Sequence, residues 1–117
     1  MTFKELRDKN VERCEQVFHP LDGWTPAEWA VAMGGECGEV LNAIKKLRRL
    51  DDGTNTAKDP QTKEDAISDI ADELADLIIY ADLLAARLDI DLTKAIRSKF
   101  NKVSHRMNSS VLLYGPE

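Results

Sequence analysis

The sequence predicts an all-α fold, and three observations carry that reading. Apolar residues recur at helical spacing in four segments, glycine and proline collect between those segments, and no stretch alternates convincingly with period two. With 117 residues, 43% hydrophobic and 32% charged, the chain is long enough for one domain (1–117) and too short for two comfortable ones.

Phe3, Leu6, Asn10, Cys14 and Val17 space the first helix, which ends near "FHPLDG", where Pro20 and Gly23 break it. The second opens at "TPAE": Thr25 can cap, Pro26 suits the first turn, and Glu28 lies three residues on from the cap, as a capping box requires. Ala30, Met33, Cys37, Val40, Leu41, Ile44 and Leu47 then form one apolar stripe, taking this helix to about Leu50. The polar run at 51–62 reads as a long loop. A third helix, from about Thr62 to Leu88, carries Ala66, Ile70, Leu74, Leu77, Ala81, Leu84 and Leu88. Asp91 caps a fourth helix reaching about Met107, and the tail 108–117 is left unassigned.

Several function classes fall away. The net charge of -5 argues against general nucleic-acid binding, which needs a basic surface. Nowhere do about 18 apolar residues run together, so no membrane partner is expected. "MTFKELRDKN" has no apolar run to serve as a signal peptide, and Cys14 and Cys37 show no metal or redox spacing. They read as reduced core residues of a cytoplasmic protein.

Chemistry gathers at "MGGECGEVLNAI", Met33 to Ile44, where two glutamates stand three apart beside an apolar stripe. On the third helix "SDIADELADLIIYAD" places Asp69, Glu73 and Asp76 along the border of its stripe. If the two helices pack as antiparallel neighbours, their axes lie roughly 8–10 Å apart. Glu36, Glu39, Glu73 and Asp76 then converge, raising one another's pKa unless a cation answers them. A site of oxygen donors alone suits Mg²⁺, with Mn²⁺ as a substitute. A di-iron bundle needs Glu-x-x-His pairs, and neither His19 nor His105 supplies one. Gly34, Gly35 and Gly38 thin the helix surface, which suits close approach by another helix or a phosphate chain. The plain alternative is a solvated acidic face.

These motifs resemble those of the MazG-type nucleoside triphosphate pyrophosphohydrolases, an all-α superfamily. The family's mark is Glu-Glu-x-x-Glu on one helix and Glu-x-x-Asp on the next. The resemblance runs from "WTPAEWAVAMGGECGEV" through "DELADLIIYAD" to "KFNKVSHR". It implies a four-helix, oligomeric, Mg²⁺-dependent enzyme that hydrolyses a (deoxy)nucleoside triphosphate to monophosphate and pyrophosphate, as in clearing unwanted nucleotides. It also implies Glu36, Glu39, Glu73 and Asp76 as metal ligands. Lys99, Asn101 and Arg106 match a downstream set associated with the triphosphate. One position departs: Gly35 stands where the family has its first glutamate.

Phosphoryl chemistry also needs an acceptor for the attacking water's proton, and Glu36 and Glu39 are both candidates. Lys45 and Lys46 follow the acids and can meet a phosphate. For the base, Trp29 can stack, while His19 or Asn42 can hydrogen-bond its edge, and Tyr80 lies on the acidic side of the third helix. Two rivals stay open: a non-catalytic helical regulatory module, favoured by Gly35, and phosphoribosyl-ATP pyrophosphohydrolase activity. Finally, Ile79, Leu83 and Ala86 form a second apolar strip on the third helix. Its burial by another subunit predicts a homodimer or homotetramer.

Overall fold

The computed structural model describes residues 1–115, all helix and connection; among them no strand occurs. The last two residues of the tail lie outside the described part. Four α-helices follow in order: α1 (Phe3–Val17), α2 (Pro26–Asp52), α3 (Lys63–Arg87) and α4 (Leu92–Arg106), with a short 3-10 turn at Leu21–Gly23.

Each start is capped by the residue the local chemistry selects. Thr2, Thr25, Thr62 and Asp91 accept from the backbone N–H three residues on, and Thr25 with Glu28 forms the full capping box. At its other end α2 stops at Gly53, whose φ of 73° is the left-handed conformation glycine adopts without strain. The loop beyond is pinned by buried Asp59, which accepts from Thr56 N at 2.9 Å and Arg49 Nη2 at 3.1 Å. The Thr56 N–H, the largest influence, and then the Arg49 guanidinium hold its carboxyl below the ordinary value.

That loop turns α3 back along α2, and the two form an antiparallel hairpin, the main packing unit of the chain. Its seam differs from the predicted apolar stripe. Along α2 the inward positions are Met33, Glu36, Val40, Ala43 and Leu47; along α3 they are Ala66, Ile70, Glu73, Leu77, Tyr80 and Leu84. Cys37, expected in the core, is exposed, as are Ala30, Leu41 and Ile44. The reason is local: acids occupy the seam at 36 and 73, and the aliphatic residues beside them face outward.

α1 folds onto the side of α3 away from that outward stripe. Cys14, Trp29 and Leu83 form the buried core, with Leu21, Trp24, Tyr80 and Leu84 around it. The strip predicted to need another subunit is therefore covered within the chain: Leu83 is buried, and Ile79 and Ala86 are half-buried. Arg7 and Asn10 of α1 both reach fully buried Asp82, through Nε at 2.9 Å and Nδ2 at 3.1 Å. Arg87 closes the other side, donating to the Trp24 carbonyl at 2.8 Å. α4 packs on α1, and among the described residues no helix is long and apolar enough to cross a membrane.

Candidate metal centre and adjoining cavity

The hairpin register decides which acids meet. Glu36 of α2 stands opposite Glu73 and Asp76 of α3, and one carboxylate oxygen from each lies within 4.8 Å of the others. Two of the three, Glu36 and Glu73, sit half-buried in the seam, where a bundle ordinarily places aliphatic residues. Lost hydration therefore raises the pKa of each first. Glu36 is raised further by Asp76, Glu73 and Glu39; Glu73 by Glu39, Asp76, Asp72 and Asp69. No cation from the described side chains pairs with this triad. Its donor set, oxygen only and open to solvent through exposed Asp76, fits a hard divalent ion.

Glu39 stands just outside the triad. It lines a cleft of about 100 Å³ with Asn42, Lys46, Asp69, Asp72 and Glu73. Lys46, half-buried, lines the cleft beside the acids, whereas Lys45 is exposed and borders neither this cleft nor the cavity described next. Gly35 is exposed, and a Cβ there would meet nothing within 4 Å, so the missing glutamate leaves open space. The same holds for Gly34 and Gly38: no described residue makes the close approach suggested for them.

On the other side of the triad a larger cavity of about 550 Å³ opens between α1, the segment that joins α1 to α2, and α3, with Asp76 in its lining. Its wall is aromatic. The rings of His19 and Trp24 lie 4.4 Å apart, Trp24 and Trp29 4.7 Å, and Trp29 and Tyr80 6.4 Å. Trp29, expected to stack on a base, is only 2% exposed, and its Nε1 donates to the Leu21 carbonyl at 2.9 Å. It is a core residue that backs the wall. Trp24, half-buried, and His19 present the more accessible rings. Asn10 and Arg13 complete the lining from α1. Sequence reasoning missed both: Asn10 passed as a member of the helical stripe, and Arg13 was not singled out.

The α4 residues are not brought to this centre. Lys99 and Arg106 are exposed on a helix that packs on α1. Asn101 is engaged by the tail, donating to the Leu113 carbonyl at 2.9 Å and accepting from Leu113 N at 2.8 Å.

With this geometry in place, comparison with known proteins decides the family. Residues 25–111 match the family model of the MazG nucleotide pyrophosphohydrolase domain. The chain belongs to the MazG family. This MazG domain is also similar to the Gene 37 protein of Mycobacterium phage L5, 36% identical over 84 residues, covering 70% of this chain and 68% of that protein. No solved structure matches it. The matched span holds both acidic motifs and all of α4, whereas α1 and His19 precede it.

Proposed function

We propose that the protein hydrolyses a (deoxy)nucleoside triphosphate to the monophosphate and pyrophosphate, with Mg²⁺ held by Glu36, Glu73 and Asp76. The observation that carries this reading is the triad itself, three carboxylates within 4.8 Å of one another, two of them in a helix seam. Anions in that position are unfavourable until a cation joins them. Family membership supplies the reaction class. When bound, the metal neutralises charge on the phosphates, the main requirement of phosphoryl chemistry.

The chain's own residues then divide the work. Glu39, beside the triad and outside it, accepts the proton of the attacking water as the bond between the α-phosphorus and the bridging oxygen breaks. Lys46, half-buried in the same cleft, meets the departing pyrophosphate. The aromatic cavity on the other side takes the base, which stacks against Trp24 and His19. Clearing of surplus or non-standard nucleotides is the use this chemistry suits, in the cytoplasm where the nucleotide pool lies.

The partner surface follows from what α1 leaves uncovered. Leu41 and Ile44 of α2, with Ile67, Leu74 and Ile78 of α3, are between 45% and 66% exposed. Each lies one residue beyond a seam position, so in an antiparallel pair both sets face the same side of the hairpin, opposite α1. A second copy covers this face in a two-fold dimer, with Gly34 allowing close approach. Such a partner also offers a route for Lys99 and Arg106 to reach an acidic centre.

Calorimetric titration of the chelated protein with Mg²⁺ tests the site independently of turnover. One strong site is expected, lost in Glu73→Gln with helix content unchanged. Equal Mg²⁺ affinity in the variant and the parent would remove the proposed centre.

A further inference from the structure

Asn10 is 4% exposed, and its amide is held in one orientation. Nδ2 donates to the Ile79 carbonyl at 2.9 Å and to Asp82 Oδ2 at 3.1 Å. A carbonyl and a carboxylate only accept, so the nitrogen must face them and the amide cannot flip. Oδ1 is thereby turned the other way, and no described residue donates to it. Asn10 lines the aromatic cavity and, with Arg13 and Ile79, the adjoining groove along α1. Oδ1 is not sealed from solvent, since Arg49 Nε alone among the described residues is a fully buried side-chain nitrogen or oxygen without a partner. It meets water in the free protein, and a ligand that brings an N–H takes that water's place. One turn along α1, Arg13 lines the same cavity, and its guanidinium donates only.

We infer that Asn10 Oδ1 selects nucleotides whose base carries an exocyclic amine. This rests on the reading of the aromatic cavity as the base pocket. In cytosine and adenine the amine projects from the ring beside a ring nitrogen that accepts. A base stacked on Trp24 therefore gives its amine to Asn10 and its acceptor edge to Arg13. Thymine and uracil have only a recessed imino N–H flanked by two carbonyl oxygens. Those oxygens face an acceptor that cannot turn away, and the pair repels. Asp82 and the Ile79 carbonyl act as positioning groups, since they fix which atom of Asn10 the base meets.

The test is equilibrium binding by calorimetry with Mg²⁺ and non-hydrolysable α,β-methylene triphosphates. The probes are the dCTP analogue, its 2-pyrimidinone counterpart with hydrogen in place of the amine, the dATP analogue, and its purine counterpart. The amine-bearing member of at least one pair should bind roughly 10- to 100-fold more tightly, the expected effect of leaving Oδ1 unpaired once the base has displaced its water. Asn10→Ala should bring that pair within about twofold of each other, through loss on the amine-bearing side. Equal binding within both pairs by the parent protein overturns the inference, and so does discrimination that survives Asn10→Ala. Should that variant not fold, the parent protein's two pairs decide alone. Failure of every triphosphate to bind would overturn the base pocket and this selectivity together. Binding without dependence on the amine overturns the selectivity only.

Discussion

Replacing Arg7 with alanine leaves the Asp82 carboxylate, 0% exposed, with a single remaining side-chain donor, Asn10. Breaking a buried ion pair from one side costs about 3–5 kcal/mol, because the abandoned charge has no water to return to. The Arg7 side chain is 23% exposed, so water can partly replace it, which places the expected loss near the low end, about 3 kcal/mol. The bond from Arg7 Nη2 to the Ile90 carbonyl, 2.8 Å, goes as well, loosening the turn into α4. For a chain of this size the melting temperature should fall by about 10 °C. Urea denaturation followed by circular dichroism measures the loss directly. The double variant Arg7→Met with Asp82→Leu should recover much of it, since the penalty belongs to the orphaned carboxylate and not to a missing attraction. Stability of Arg7→Ala within about 0.5 kcal/mol of the parent would refute the reasoning, as would a double variant less stable than the single one.

The acidic centre gives a prediction about pH. Glu36 and Glu73 have folded-state pKa values raised above the ordinary 4.5, so in the window above it the folded chain holds more protons than the unfolded one. Metal-free stability should therefore fall as pH rises through the raised values, and saturating Mg²⁺ should remove the fall. Thermal melts in chelator, for the parent and Glu73→Gln, isolate the contribution as a difference; a gain in stability with pH in that difference would contradict it. For the assembly, sedimentation at low micromolar concentration should show a dimer, converted to a folded monomer by Ile78→Glu. A wild-type monomer that stays folded and active would exclude the proposed partner face.

Much of the fold was legible because its signals are local. Thr25, Pro26 and Glu28 define a helix start through contacts within one turn, and Gly53 ends α2 by its own backbone freedom. The convergence of Glu36, Glu73 and Asp76 was legible too, since an antiparallel hairpin and helical spacing suffice to bring them together. What the sequence concealed depends on where α1 lies. No periodicity says that α1 covers Leu83 and leaves Ile78 bare, so the exposed face was assigned to the wrong strip. Trp29 was misplaced for the same reason: its indole is sealed by the core and the Leu21 carbonyl, while Trp24 keeps the open edge. Asn10 was hidden by its position, a polar residue at apolar spacing whose partners stand 69 and 72 residues away. Lys99, Asn101 and Arg106 were expected from the motif alone, and within one chain their helix packs on α1.

The most direct test of the central claim is the identity of the products. Phosphorus NMR of a (deoxy)nucleoside triphosphate incubated with the protein and Mg²⁺ should show monophosphate and pyrophosphate appearing in equal amounts. Neither should appear with chelator or with Glu39→Gln. Diphosphate and orthophosphate in their place, or turnover indifferent to chelator, would contradict the account.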